Sequence, residues 1–140
     1  MASLVRGIGA GIAGVLSAFV TVAAVEAISH AVAPRGVIPP ASDRDAVAAY
    51  IAAMPAGAFF GIALAWFLAV VVGTWVAVAI ARARPRLYAG IVGGLIALSA
   101  ALNFALIPHP AWFVVLGLGA VLTGTLVGAR LAARRLAGGR

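Results

Sequence analysis

The chain contains no cysteine. Disulfides, thiolate zinc sites, iron–sulfur clusters and thioether-attached haem are thereby excluded as features of this chain. It has no lysine either: its ten basic residues are all arginine, set against three acids, Glu26, Asp43 and Asp45. Charge of either sign is scarce, at 9% of residues, where a water-soluble domain carries about a quarter. A chain that is 65% hydrophobic, with a mean hydropathy of +1.18, cannot cover itself against water. Lipid is the solvent that fits, and 140 residues make one domain.

A net charge of +7 could point to nucleic acid. The arginines instead flank apolar segments and form no patch interleaved with aromatics, which excludes a nucleic-acid surface. Arginine without lysine, in a chain rich in alanine and glycine, reads as a GC-rich bacterial genome. The bacterial inner (cytoplasmic) membrane is then the expected location.

Four stretches, uncharged except for Glu26 in the continuation of the first beyond Val25, have the length of a membrane span, about 20 apolar residues. They cover about 8–32 (the first part, Ile8–Val25, being the most apolar), 56–81, 87–106 and 111–129. Arg6, the apolar run and the small residues near Ala27 also have the outline of a signal peptide; the reading taken is a retained first span. If the spans alternate, Arg6, Arg82, Arg84, Arg86, Arg130, Arg134, Arg135 and Arg140 share one side. The other side holds Arg35 and Arg44, offset by Asp43 and Asp45. The positive-inside rule then sets both termini in the cytoplasm.

The expected fold is all-α: four antiparallel transmembrane helices and one short interfacial helix in the first external loop. That loop runs from Pro34 through Pro39 and Pro40. Ser42 with Asp45 three positions on is a variant of the capping box that opens a helix. Val47, Tyr50, Ile51 and Met54 follow at i, i+3, i+4 and i+7, an amphipathic stripe. The sequence therefore predicts a helix over 45–54 on the outer interface, bent into the second span at Pro55. Tyr50 and Trp112 are the expected outer anchors and Tyr88 the cytoplasmic one. Arg82–Arg86, with Pro85, is a tight basic turn, and Ile107–Trp112 is a short external one.

Gly9-Ala10-Gly11-Ile12-Ala13-Gly14 matches the dinucleotide-binding G-x-G-x-x-G spacing. It lies inside an apolar helix with no preceding strand, so the match is spurious. Helix packing explains the glycines better, because small residues let backbones approach in lipid. Gly7/Gly11 (with Gly14), Gly57/Gly61, Gly90/Gly94 and Gly124/Gly128 are the pairs expected at contacts, within the chain or between subunits.

The polar residues that stand out are few. Glu26 and His30 are four apart and share a helix face. Glu26 lies about 27 Å above Ile8, and Asn103 about 24 Å above Leu87, so both reach the outer leaflet. His109 follows in the external turn. Glu26, His30, Asn103 and His109 form the candidate binding set, roofed by the 45–54 helix. A carboxylate within a span is a functional candidate because an unpaired charge in lipid is costly. The set suits ion or solute handling, a divalent metal held by His30, His109 and a carboxylate, or an interhelical hydrogen-bond network.

The remaining polar groups in the spans (Ser17, Thr21, Thr74, Ser99, Thr123 and Thr125) are expected to bond back to their own helices. With no charge at mid-membrane, a midplane transport site is not expected. Trp66, Trp75, Phe59, Phe60 and Phe67 read as packing or lipid-facing aromatics. Ser29 beside His30 points elsewhere on the helix and makes no catalytic dyad. His109 between prolines is a poor haem ligand.

Val37-Ile38-Pro39-Pro40, Gly73-Thr74, Asn103 and the run Ile107-Pro108-His109-Pro110-Ala111-Trp112-Phe113 give the chain a further aspect. In these it resembles an uncharacterised family of small four-span bacterial integral membrane proteins. The resemblance implies four spans and a structured external face, and no activity.

Three functions follow as expectations. The first is a non-enzymatic membrane protein, oligomeric because four spans leave little room for a conduit, handling an ion or small solute at the outer-leaflet set without a cofactor. The second is a structural or accessory subunit of a larger membrane complex. The third is a metal-dependent membrane enzyme.

Overall fold

The computed structural model describes residues 1–32, 36–40 and 42–138. Pro34, Arg35 and Arg140, which entered the loop and charge readings, lie outside the described residues. The described residues form five helices and no strand: α1 (Ala2–Val32), α2 (Arg44–Ala53), α3 (Ala56–Ala81), α4 (Pro85–Leu106) and α5 (Ala111–Gly138). Every helix but α2 is long and apolar enough to cross a membrane, which points to a multi-pass membrane protein.

Two spans outrun their expected limits. α1 begins six positions before Ile8, and α5 continues nine past Ala129 through Arg130, Arg134 and Arg135. Alanine, leucine and arginine are strong helix formers, so the helix does not stop where the apolar run stops. Along the extension of α5, the Arg135 guanidinium lies over the Trp75 ring at 4.1 Å, a cation–π contact.

α3 is the central helix. It contacts α1, α4 and α5, and half of its most apolar stretch is buried, against 17% for α1. Its sequence explains why: Ala63, Ala65, Ala69, Gly73 and Ala77 leave room for neighbours on several sides. A Cβ added at Gly14 of α1 would stand 2.7 Å from the Gly73 carbonyl oxygen, and one at Gly73 would stand 2.5 Å from the Gly14 carbonyl. The two backbones meet there with nothing between them. On the other side of α3, a Cβ at Gly124 would come within 2.9 Å of the Phe67 carbonyl, and Gly117 sits against the Trp66 ring. Gly128 lies against Thr74, and Gly93 of α4 against Thr125 of α5.

The expected glycine pairs are therefore redistributed. Gly7 and Gly11 face Tyr88, and Gly14, Gly124 and Gly128 sit at helix contacts. Gly61 is half-buried. Gly57, Gly90 and Gly94 meet nothing within 4 Å, so within this chain they are not packing positions. Gly73, Gly93 and Gly117, outside the expected pairs, hold close contacts instead.

Tyr88 also departs from expectation. It is buried, and its hydroxyl donates to the Gly7 carbonyl of α1 at 3.1 Å, so it joins two helices instead of sitting at an interface. The turn before it holds Arg82 at φ 54 and Arg84 at φ 49, both left-handed, with Pro85 opening α4. The Arg82 N–H bonds to the Val78 carbonyl and so caps α3.

α2 starts one residue early, and its cap is Asp43, not Ser42: Asp43 Oδ1 accepts from the Ala46 N–H at 3.0 Å. Val47, Tyr50, Ile51 and Met54 are half-buried, while Ala49, Ala52 and Ala53 are exposed. Ile51 and Met54 pack on the larger core cluster, which centres on Phe59, Trp66, Val70 and Phe113. α2 thus covers one end of the bundle, and the chain turns into α3 at Pro55.

Candidate functional site

Beneath α2 is a cavity of about 350 Å³ to which all five helices contribute. α1 supplies Glu26 and His30 from one face, as their i, i+4 spacing requires. α4 supplies Asn103 from its last turn, and the α4–α5 connection supplies His109. The four sequence-predicted residues therefore line a single cavity. Glu26, His30, Asn103 and His109 are all half-buried.

Their pairing decides what the cavity can do. Among the described residues, the side chains of Glu26, His30 and Asn103 make no hydrogen bond, to one another or to any other group. Among the described residues, a carboxylate, an imidazole and a carboxamide line the same space without bonding to one another.

His109 is held differently. Its Nδ1 lies 2.7 Å from the Ile107 carbonyl oxygen. A carbonyl can only accept, so Nδ1 carries the proton of that bond, and in the neutral ring Nε2 keeps its lone pair. The ring is fixed between Phe104, edge-on at 5.3 Å, and Phe113 at 5.4 Å. The turn thus presents one defined nitrogen on a ring that does not rotate freely. Among the described residues, no three His, Asp or Glu side chains come close enough to hold one metal ion.

Sequence reasoning missed the aromatic part of the wall. Tyr50 of α2, Trp66 of α3 and Phe113 of α5 line the same cavity as Glu26. Trp66 and Phe113 also stack with each other at 5.8 Å, so their rings have fixed orientations. The signal for Tyr50 was present, since the α2 stripe had to face something. Nothing in the spacing of α3 singles out Trp66 over Trp75, which is 45% exposed on the outside.

Three of the six hydroxyls expected to bond back to their own helices do so among the described residues. Thr21, Ser99 and Thr125 donate to the carbonyls four residues back, at 2.8, 2.9 and 2.8 Å. Thr74 is fully buried and its Oγ1 has no partner among the described residues.

Charge is distributed unevenly around this site. All three acids of the chain stand at its end of the bundle: Glu26 in the wall, and Asp43 and Asp45 at the start of the helix that carries Tyr50. Arg44 is the described base nearby, while Arg82, Arg84 and Arg86 mark the opposite end of α3. Comparison with known proteins gives no match: no family model, no curated protein and no solved structure is significantly similar to this chain.

Proposed function

We propose that the chain is a non-enzymatic inner-membrane protein that binds and handles a small cationic solute in the cavity under α2. In this reading the four long helices span the bilayer in alternating directions, with both termini cytoplasmic and α2 on the outer interface. The arginine distribution supports that orientation. The cavity then lies in the outer leaflet.

The observation that carries the reading is the meeting of Glu26 with Tyr50, Trp66 and Phe113 around one space. A carboxylate supplies the counter-charge, and aromatic faces attract cations, ammonium groups above all. His30, Asn103 and His109 add bonding groups that fix orientation. A volume of about 350 Å³ suits a small organic ammonium compound or a hydrated ion, since pockets for small ligands begin at about 300 Å³. The acids clustered at this end favour the approach of positive charge.

A second reading, an accessory subunit or homo-oligomer, is favoured by Gly90 and Gly94. They stand four apart on an exposed face of α4 with nothing against them. Association through that face is compatible with the cavity, and in an oligomer any pathway runs between subunits.

The chain has no cysteine, so single cysteines report cleanly. Asn103→Cys in cells is expected to react with a membrane-impermeant thiol reagent added outside. Leu126→Cys, on the outer surface of α5, is expected to stay unreactive because a thiol in lipid does not ionise. Labelling of position 126 with protection of position 103 would remove the reading of a hydrated outer cavity.

A further inference from the structure

A second concavity, larger than the first, opens between α1 and α4 at the arginine-rich end. Its volume is about 820 Å³, and its shape follows from Tyr88. At this end α1 and α4 are joined by the Tyr88 phenol reaching Gly7, not by backbone contact. The ring holds the helices apart, and a slot remains beside it, floored by Gly7, Gly11 and Tyr88.

The slot is apolar along its length and charged at one end. Ile12, Leu16 and Leu95 line the deep part, while Arg6 and Arg84 stand at the mouth. Neither arginine has an acidic partner in the slot, since Glu26, Asp43 and Asp45 all lie at the other end of the bundle. From Arg6 to Leu16 is ten residues of helix, about 15 Å, or half of a hydrocarbon core about 30 Å thick. The slot is therefore one leaflet deep.

The backbone gives a second indication. Arg84 at the mouth is held at φ 49, and Arg82 two positions before it at φ 54. Left-handed backbone is costly for any residue with a Cβ and free for glycine. Of the two, Arg84 lines the slot, so an arginine stands at its mouth in spite of a backbone cost.

We propose that this slot is a binding site for an anionic phospholipid. One acyl chain lies against Gly7, Gly11 and Leu95, and Arg6 and Arg84 hold the phosphate. Guanidinium groups pair with phosphate oxygens through two parallel N–H donors. The site shares with the proposed function only the spanning orientation, and it is separate from the Glu26 cavity in position and in charge.

The test is native mass spectrometry of the full chain released from bilayers containing phosphatidylglycerol and phosphatidylcholine in equal amounts with identical acyl chains. The wild type is expected to retain phosphatidylglycerol roughly 25-fold over phosphatidylcholine, from about fivefold for each of the two arginines. Arg6→Gln/Arg84→Gln is expected to abolish that preference, while Arg130→Gln/Arg134→Gln, outside the slot, leaves it intact. Gly11→Leu keeps both arginines and fills the slot, so it too is expected to lose the lipid. Equal retention of both lipids by the wild type, or a preference that survives both Arg6→Gln/Arg84→Gln and Gly11→Leu, overturns the proposal. Displacement by glycerol phosphate, which has no acyl chains, would also overturn it by assigning the arginines to a free phosphate. Phosphatidylcholine carries a quaternary ammonium headgroup, which the cation reading would seat at Glu26, so the comparison is repeated in Glu26→Gln: the phosphatidylglycerol preference is expected to persist there, and its loss would overturn the slot as the source of that preference.

Discussion

The Tyr88 hydroxyl and the Gly7 carbonyl are 81 positions apart in sequence and 3.1 Å apart in space. This bond ties α4 to α1 where the two helices are otherwise spaced by the tyrosine ring. Its acceptor is a carbonyl already engaged in helix, so the hydroxyl uses the second lone pair. Tyr88→Phe keeps the ring and removes the bond. The expected loss is about 0.6–1 kcal/mol of unfolding free energy, read by thermal or denaturant unfolding in mild detergent. A loss several times larger would mean that Tyr88 does more than this bond.

Thr74 gives the opposite sign. Its hydroxyl is fully buried and has no partner among the described residues, whereas that of Thr125, packed on Gly93 of α4, bonds back to Val121. Thr74→Val keeps the shape and removes the unpaired group. It is expected to stabilise the fold by about 1 kcal/mol, in the same unfolding measurement. Destabilisation would show that the hydroxyl is satisfied in the bilayer.

The glycines separate by what they face. Gly14→Val drives a side chain into the Gly73 carbonyl and Ala77, and is expected to cost about 1–3 kcal/mol. Gly94→Ala meets open space and is expected to stabilise an isolated chain by about 0.5–1 kcal/mol through helix propensity. Gly94→Leu, not Gly124→Leu, is then the substitution that probes association, because Gly124 is occupied by Phe67 of its own chain. Loss of a defined oligomer on Gly94→Leu, measured by native mass spectrometry, is the outcome expected if α4 docks through that face.

Much of this architecture was legible in the residues. Apolar runs longer than a bilayer gave the four long helices, and the Val47–Met54 stripe gave α2 with its inner face. Helix rise also put Glu26 and Asn103 at similar heights along their helices, and both line one cavity. Azimuth was not legible, because a span apolar on every side carries no periodic signal for its neighbours. For that reason the G-x-x-x-G pairs included Gly90 and Gly94, which face outward, and omitted Gly73 and Gly117, which do not. Single glycines at crossing points have no spacing to detect. Tyr88 was misread for a related reason: a tyrosine near a charged turn has the sequence of an interfacial anchor whether it points to lipid headgroups or to the next helix. Asp43 and Ser42 are both good caps, and only the backbone of the turn selects between them.

The central claim is that the cavity under α2 takes a small cation against Glu26 and the aromatic wall. Equilibrium binding of radiolabelled tetramethylammonium to the chain in nanodiscs tests it most directly, with Glu26→Gln alongside. The account predicts saturable binding that weakens by roughly tenfold in Glu26→Gln, the scale of about 1.4 kcal/mol of ion-pair energy. Absence of saturable binding, or affinity indifferent to Glu26→Gln, would contradict it.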